Sequence, residues 1–224
     1  MAPIISTKAY DKMDAYARTV QKGEIGGLLL GRVNKYGDIQ VKDAIILKQA
    51  KADAHFEIEE SAMMDFTKNA TEKQLSSIIG WWHSHGRFEA FWSTDDSKTF
   101  ERLCKLTNNC FGIVVSTKDK DILNIRCRID VNTKNGDYLT FDELYPIVDK
   151  WIQPGKYEMV TIDQKAILKD IQDNVTDVGE DFIDCPKCAG SGVIRKSYSY
   201  FDGLFKDEKY NEKDEGYTDE TIYY

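Results

Sequence analysis

The sequence predicts an α/β protein in which helices cover a β-sheet. Segments with strand periodicity and segments with helix periodicity intermix along the first three quarters of the chain. The 224 residues are 42% hydrophobic and 30% charged, which is typical of an ordinary globular protein with one sizeable domain and small additions. No segment approaches the roughly 18 to 20 uninterrupted apolar residues of a membrane span, so we expect no membrane partner.

The N-terminal half is predicted to contain a helix, a hairpin, a third strand and a second helix. Ser6 caps a helix that carries apolar residues at helical spacing and ends at Gly23. An apolar run follows, and a turn with Gly37 joins it to a partner strand, which indicates a hairpin. The expected strands are 25–33, 39–47 and 55–59, and the expected second helix is 60–75.

The following segments continue the same alternation of strands and helices. Trp81 and Trp82 are neighbours on a predicted strand, so they should face opposite sides and pack into two layers. Cys104 and Cys127 are predicted to be small core residues. The expected strands are 77–85, 111–116, 122–131 and a short one at 138–141, and the expected helices are 93–106 and 163–173.

The chain is predicted to divide into three parts: a main domain at 1–145, a closing helical segment at 146–180, and a C-terminal extension at 181–224. The composition changes after about Asn174. The tail 196–224 holds four lysines and eight acidic residues, a net charge of −4, and six of the twelve tyrosines. Because it has few aliphatic residues to pack, we expect it to be extended and flexible, or ordered only against a partner.

The net charge and the cysteine content limit which cellular compartment and which classes of binding partner we expect. The net charge of −8 argues against nucleic acid as the main partner. The N-terminus lacks the basic and apolar regions of a signal peptide, and five cysteines are an odd number for a disulfide framework. Reduced thiols and a cytoplasmic location are therefore expected.

Two of the three histidines, His83 and His85, occur at i and i+2 on a predicted strand, so both side chains should point to one face. Asp96 lies in the first turn of the next helix, where the helix dipole favours a carboxylate. Two imidazoles and one carboxylate, with a fourth position left to water, are the ligand set of a catalytic zinc site.

Such a site needs a base for the proton of its water, and the chain has no HExxH motif. Glu24 is the candidate because it opens an apolar strand among glycines that leave room for close approach. Ser93 should lie beside the metal and donate its hydroxyl to an oxyanion. A helix-capping pair of Ser93 and Asp96 is the alternative, although it leaves the two histidines unexplained. His55 is expected to be an ordinary strand or surface histidine.

The order of these residues resembles the JAMM (MPN+, or JAB/Mov34) zinc metalloprotease family. The likeness covers residues 3–135 and includes Glu24 in GEIGGLLLG and the motif H-S-H-x7-S-x2-D. It implies an α/β/α sandwich around a curved mixed β-sheet, similar to cytidine deaminases. The implied roles are zinc ligation by His83, His85 and Asp96, general acid–base chemistry by Glu24, and oxyanion stabilisation by Ser93.

The resemblance also implies an activity, since active members cleave isopeptide or peptide bonds at the C-terminus of ubiquitin and ubiquitin-like proteins. The expected function is zinc-dependent hydrolysis of that bond, with the modifier as substrate and a partner subunit or homodimer left open. The alternatives are a non-catalytic scaffold of the same fold that binds proteins, or a peptidase for a sulfur-carrier protein or a phage or cell-wall peptide. Many members have proline after the second histidine, where this chain has Gly86, which predicts a more mobile loop.

A second cysteine motif lies near the C-terminus. Cys185 and Cys188 in CPKCAGSG form half of a four-cysteine zinc site, and the segment resembles one zinc-finger repeat of the DnaJ type. No second CxxC occurs in the sequence. Three interpretations stay open: a metal site completed by another chain, a redox pair, or a degenerate remnant.

Overall fold

The structure is a computed structural model that describes eight ranges of the chain, namely 3–20, 22–52, 55–106, 109–133, 138–149, 162–177, 182–184 and 193–195. The predictions for Cys185, Cys188 and the tail 196–224 lie outside these ranges. Within them, no helix combines the length and the apolar character needed to cross a membrane.

The helices and strands follow the order expected from the sequence, with several additions. The helices are α1 Thr7–Val20, α2 Glu60–Asn69, α3 Glu72–Leu75, α4 Thr94–Leu106 and α5 Gln164–Asn174. The strands are β1 Ile4–Ile5, β2 Gly26–Val33, β3 Ile39–Ile46, β4 Gln49–Ala52, β5 His55–Ile58, β6 Ile78–Ser84, β7 Asn109–Ser116, β8 Asn124–Asn132, β9 Tyr138–Leu144, β10 Ile147–Val148, β11 Val175–Asp177, β12 Phe182–Asp184 and β13 Val193–Arg195.

Within the described residues, the main sheet has eight strands in the order β10-β1-β3-β2-β6-β7-β8-β9. The pair β6–β7 is parallel and is joined through α4, whereas β2 is antiparallel to both of its neighbours. The strands β9 and β10 lie at opposite ends of this order, yet Tyr145 and Pro146 alone separate them in sequence. The sheet must therefore curl strongly, and this confirms the predicted curved mixed sheet.

Helices cover both faces of the sheet, and each face has its own apolar core. Trp82 packs with residues of α1, and Tyr16 of that helix stacks on its ring at 6.0 Å between centroids. Trp81 faces the other core, where the ring of Phe100 from α4 lies 5.5 Å away. The two tryptophans thus belong to two layers, as predicted, and the α/β/α sandwich is confirmed.

The cysteines in the described part of the chain are free and buried. They are Cys104, Cys110 and Cys127. Burial raises the pKa of each thiol above its ordinary value. The prediction that Cys104 and Cys127 are core residues is confirmed.

The segment 60–75 differs from the single helix predicted for it. It forms α2 and α3, which are separated at Ala70 and Thr71. The Thr71 side chain accepts a bond from the Gln74 backbone N–H, and the Gln74 side chain accepts one from the Thr71 backbone N–H at 2.9 Å. This reciprocal capping box begins a new helix, so the first helix cannot continue through it.

The strand β4 was not expected. It pairs with β5 and with β11 in a separate three-stranded sheet. Its sequence, Gln-Ala-Lys-Ala, has no β-branched or aromatic residue, so it carries no strand signal of its own. Pairing with residues more than a hundred positions away in sequence accounts for it.

The closing helix α5 begins where the sequence indicates. The Asp163 side chain accepts hydrogen bonds from the backbone N–H groups of Lys165 and Ala166 and so caps its N-terminus. The Tyr16 hydroxyl donates to the Asp170 carboxylate at 2.7 Å and ties α5 to α1. The division into 1–145, 146–180 and 181–224 stays a prediction.

A charged cluster joins α1 to β3 and makes stability depend on pH. The Asp43 carboxylate accepts hydrogen bonds from Lys8 at 2.5 Å and from Lys12 at 2.9 Å. Burial alone would raise the pKa of Asp43, but these two lysines outweigh it and hold the pKa below its ordinary value. The cluster therefore stabilises the fold fully above the unfolded-state pKa of about 4, and the stabilisation is lost as the pH falls through the folded-state pKa.

We expect Asp43→Asn to lower the free energy of unfolding by about 1 kcal/mol at neutral pH. The difference from the wild type should shrink as the pH falls below about 4, because the wild-type carboxyl is then protonated as well. Urea denaturation at a series of pH values checks both expectations. A difference that stays constant from neutral to acid pH would contradict the assigned role of the carboxylate charge.

Candidate metal centre

The strand β6 delivers both histidines of the motif. His83 pairs with Gly26 of β2 on one side and with Val114 of β7 on the other. Side chains alternate along a strand, so His83 shares the face of Trp81 and points towards α4. His85 follows the last residue of β6, and its backbone N–H donates to the Val115 carbonyl at 2.9 Å. Both side chains are buried.

Asp96 reaches the histidines from the first turn of α4. The Ser93 backbone N–H and the Ser93 hydroxyl both donate to Asp96 Oδ2, at 2.8 and 2.7 Å. In return, the Asp96 backbone N–H donates to Ser93 Oγ at 3.1 Å. This is a capping box with aspartate in place of the usual glutamate or glutamine. The capping pair and the cluster with the histidines therefore coexist, so the two are not alternatives.

The three side chains converge on one point. The two Nε2 atoms of His83 and His85 lie 3.0 Å apart. His83 Nε2 is 3.2 Å from Asp96 Oδ1, and His85 Nε2 is 3.7 Å from Asp96 Oδ2. Tetrahedral ligands at zinc bond lengths of about 2.0 to 2.1 Å lie about 3.3 to 3.4 Å from one another. The donor set therefore fits an ion of this size, and the group could hold a metal.

Hydrogen bonding and packing orient the two rings. His85 Nδ1 lies 3.2 Å from the Glu89 carbonyl oxygen. If Nδ1 carries the proton, it donates to that carbonyl and leaves the Nε2 lone pair for a metal. The His83 ring stacks on Trp81, with 4.8 Å between centroids and 9° between planes. Its Nδ1 atom is buried and has no hydrogen-bond partner among the residues that the structure describes, so packing orients this ring.

His83 and Asp96 shift each other's pKa values so that the charged form of each is favoured. Burial alone would lower the pKa of His83, but the Asp96 carboxylate outweighs it, Glu24 adds to this, and the net pKa is raised. Burial alone would raise the pKa of Asp96, but His83, His85 and the Ser93 hydroxyl hold it well below its usual range. The carboxylate is therefore ionised, as an anionic metal ligand must be.

Glu24 is half-buried and immediately precedes Ile25 and β2. Ser84, between the two histidines, holds Ile25 twice: its backbone N–H donates to the Ile25 carbonyl at 2.8 Å, and its hydroxyl accepts from the Ile25 N–H at 3.2 Å. These bonds fix the chain next to Glu24, and the Glu24 charge acts on His83. The Glu24 carboxylate therefore lies on the segment that Ser84 holds, and its chemical role stays a prediction.

Gln49 is a positioning residue for β2 that the sequence analysis missed. Its side chain is fully buried and bonds to both backbone groups of Gly26: it donates to the carbonyl at 2.9 Å and accepts from the N–H at 3.0 Å. Gly26 is the residue paired with His83, so this clamp holds the start of β2 against the histidine strand. No local pattern identifies Gln49, because its partners are backbone atoms of a distant segment.

The loop after His85 is anchored to the end of β7. The Gly86 carbonyl accepts hydrogen bonds from the Thr117 backbone N–H at 2.8 Å and from the Thr117 hydroxyl at 3.0 Å. The Ser116 hydroxyl donates to the Phe88 carbonyl, and Lys118 forms an ion pair with Glu89. Gly86 has a φ of +50°, a conformation that proline cannot adopt. Glycine therefore suits this position in the observed backbone conformation, and proline does not.

We expect Gly86→Pro to destabilise the protein by about 1 to 3 kcal/mol, because proline fixes φ near −65°. Gly86→Ala is the milder companion and should cost about 1 kcal/mol, since alanine only resists the left-handed conformation. Chemical denaturation of both variants checks that Gly86→Pro loses more stability than Gly86→Ala. A proline variant as stable as the wild type would show that this backbone conformation is not required.

Aromatic residues surround the two histidines. The Phe91 and His85 rings lie 4.7 Å apart between centroids in an edge-on arrangement, and the Trp92 and His83 rings lie 5.7 Å apart between centroids. Phe91 is 47% exposed and Phe88 on the same loop is 65% exposed, so both are open to a ligand. His55, on β5, is not a member of the group that could hold a metal.

The comparison with known families agrees with this architecture. The profile described as prokaryotic homologues of the JAB domain matches residues 6–128, which is more than half of the chain. This chain belongs to the JAB/MPN family. The match includes Glu24 and the whole motif from His83 to Asp96, and it confirms the resemblance stated from the sequence.

Curated relatives of this JAB/MPN protein include proteasome subunits. It is 28% identical over 134 residues to the 26S proteasome regulatory subunit RPN11 of Candida glabrata and to the ubiquitin carboxyl-terminal hydrolase RPN11 of Saccharomyces cerevisiae. It is 29% identical over 115 residues to the 26S proteasome non-ATPase regulatory subunit 14 of Dictyostelium discoideum. These matches cover 50 to 56% of this chain and 37 to 43% of the relatives, so the chain spans less than half of their length.

A solved structure is also similar to this JAB/MPN chain. It is the solution structure of protein DSY2949 from Desulfitobacterium hafniense, with 23% sequence identity and a TM-score of 0.44. The similarity covers 65% of this chain and 91% of that protein.

Proposed function

We propose that this chain is a zinc-dependent peptidase that hydrolyses the bond after the C-terminus of ubiquitin or a ubiquitin-like protein. The observation that carries the proposal is the convergence of His83, His85 and Asp96 within ligand distance of one another. The charge of Glu24 also contributes to the raised pKa of His83. Family membership and the printed name of the yeast relative, a ubiquitin carboxyl-terminal hydrolase, support the substrate class.

Zinc would be held by His83 Nε2, His85 Nε2 and one Asp96 oxygen. When bound, it supplies Lewis acidity that polarises a carbonyl and activates water near neutral pH. The protein's contribution is a fixed triangle of donors: the His85 ring is set by the Glu89 carbonyl, the His83 ring by Trp81, and the Asp96 carboxylate by Ser93.

Glu24 moves the proton in this proposal. Its carboxylate accepts a proton from the attacking water and passes it to the nitrogen of the leaving amine, so that the amide bond can break. The glutamate is suited to both steps because it is half-buried and its charge acts on the buried cluster.

Ser93 has two tasks in the proposed reaction. Its hydroxyl donates to Asp96 in this structure, and a rotation about its Cβ–Oγ bond would turn it to the oxyanion that forms on the substrate carbonyl. The Ser93 backbone N–H keeps its bond to Asp96 Oδ2 during that rotation, so the carboxylate stays in place. A partner subunit or a second copy of the chain, and a cytoplasmic location, stay predictions.

A panel of modifier fusions tests the proposal. The full chain is incubated with ubiquitin and ubiquitin-like proteins that each carry a C-terminal extension, with added zinc or with a chelator, and the products are identified by mass spectrometry. We expect at least one fusion to be cut after the modifier's C-terminus with zinc and to stay intact with the chelator. Cleavage that survives the chelator contradicts the metal mechanism.

The same panel separates the alternatives. A protein that binds a modifier tightly but cuts nothing supports the scaffold. A protein that cuts only a sulfur-carrier or cell-wall peptide supports the other substrate classes. Either result overturns the proposed function.

A further inference from the structure

A buried ion pair packs against the helix that carries Asp96, on a strand that contributes none of the proposed ligands. Arg128 and Asp130 on β8 form two parallel bonds: Nε donates to Oδ1 at 2.8 Å and Nη2 to Oδ2 at 2.7 Å. Their side chains are 9% and 3% exposed. The free-energy cost of removing two charges from water offsets most of the attraction between them. A buried ion pair therefore adds little to the stability of the fold. Its other contacts indicate a second role.

The remaining guanidinium nitrogen connects the pair to α4. Arg128 Nη1 donates to the Ser97 hydroxyl at 2.8 Å, and that hydroxyl donates to the Ser93 carbonyl at 3.0 Å. Ser93 in turn holds the Asp96 carboxylate with its N–H and its hydroxyl. A continuous chain of hydrogen bonds therefore runs from Arg128 through Ser97 and Ser93 to Asp96.

Two more contacts fix the rotation of α4 about its axis. The Arg128 guanidinium carbon lies 4.4 Å from the centre of the Phe100 ring, and the Cys104 thiol donates to the Asp130 carbonyl at 3.4 Å. Ser97, Phe100 and Cys104 occupy successive turns on one face of the helix. The strand β8 thus holds α4 at three turns, and the direction in which Asp96 points follows from that attachment.

We infer that Arg128 is a positioning residue of the metal centre, which acts through Ser97 on the first turn of α4 and so aims the Asp96 carboxylate at the two histidines. The inference rests on the proposed metal ligation by Asp96. Residues that orient a ligand typically contribute a factor of about 10 to 100 to metal affinity. The expected effect is therefore on zinc binding as well as on activity.

Metal binding to the full chain tests the inference directly. Zinc affinity is measured by competition with a chromophoric chelator, and the visible spectrum of the Co²⁺-loaded protein reports the coordination geometry. The variants are Ser97→Ala, which keeps the Arg128–Asp130 pair, and Arg128→Lys, which keeps the charge. Thr19→Ala is the matched control, because the Thr19 hydroxyl bonds to the carbonyl four residues earlier in α1 at 2.7 Å, as the Ser97 hydroxyl does in α4.

We expect Ser97→Ala and Arg128→Lys each to weaken zinc binding about 10-fold and to change the Co²⁺ spectrum, while Thr19→Ala binds as the wild type does. The double variant should bind zinc about as tightly as whichever single variant has the lower affinity, because both changes interrupt the same chain of hydrogen bonds. If Ser97→Ala loses only thermal stability and keeps wild-type affinity, the role is structural and the inference fails. Additive losses in the double variant would show that Arg128 does not act through Ser97.

The outcome also separates this inference from the proposed function. A wild-type protein that binds zinc but cuts no modifier overturns the peptidase and leaves the positioning role to be decided by the affinities. A wild-type protein that binds no zinc overturns both. If Arg128→Lys does not fold, Ser97→Ala against Thr19→Ala tests the link through which Arg128 acts, and wild-type zinc affinity in Ser97→Ala overturns the inference.

Discussion

Glu24→Gln is expected to abolish cleavage while the metal stays bound. Glutamine has nearly the size of glutamate but cannot take a proton from water, and general acid–base catalysis typically contributes a factor of about 100 to 10,000. The turnover of the fusion that is cut best, together with the zinc content of the purified variant, measures the two expectations. The stability of the variant should stay near that of the wild type, because glutamine keeps the size of the half-buried glutamate and removes no apolar contact.

Glu72→Gln is the control for that experiment. Glu72 is exposed in the first turn of α3, so its loss of charge should leave cleavage unchanged. A Glu24 variant that cuts at the wild-type rate would place the base elsewhere. One that loses its zinc would show that Glu24 acts on the metal itself.

Asp96→Asn is expected to weaken zinc binding by about 100-fold or more. The neutral amide oxygen is a poorer ligand than a carboxylate, and the change removes the negative charge that balances a divalent ion in a buried site. Asparagine retains an oxygen that can accept from the Ser93 backbone, so the helix cap should survive. Competition with a chromophoric chelator measures the affinity, and circular dichroism checks the fold.

Asp95→Asn is the matched control, one residue away. The Asp95 side chain is 71% exposed and pairs with Lys98 at 3.2 Å on the helix surface. The same loss of charge at this position should leave zinc affinity unchanged. Equal losses in the two variants would mean that net charge, and not ligation, governs binding.

The fold could be predicted from local periodicity wherever one face of an element is buried. Alternation along β6 places Trp81 with His83 on the side of α4 and Trp82 on the side of α1, and the structure confirms the two layers. The helix break at Thr71 was missed, although its capping-box signature, threonine followed three residues later by glutamine, is present in the sequence.

The cluster of possible ligands could be predicted because its residues are close together in sequence. The residues that hold the cluster in place could not be predicted. Gln49 bonds to Gly26 from a strand with no strand signal. Arg128 and Asp130 alternate with apolar residues in β8, a pattern that normally indicates a solvent-exposed face. Their burial follows from the packing of α4 on β8, which depends on contacts between segments that are distant in sequence.

X-ray absorption at the zinc edge tests the central claim most directly. With one equivalent of zinc added to the full chain, we predict a first shell of nitrogen and oxygen at about 2.0 to 2.1 Å that includes two imidazoles. The same measurement on Asp96→Asn should show a first coordination shell that differs from that of the wild type. A first shell of nitrogen and oxygen that Asp96→Asn leaves unchanged would contradict a site built from His83, His85 and Asp96.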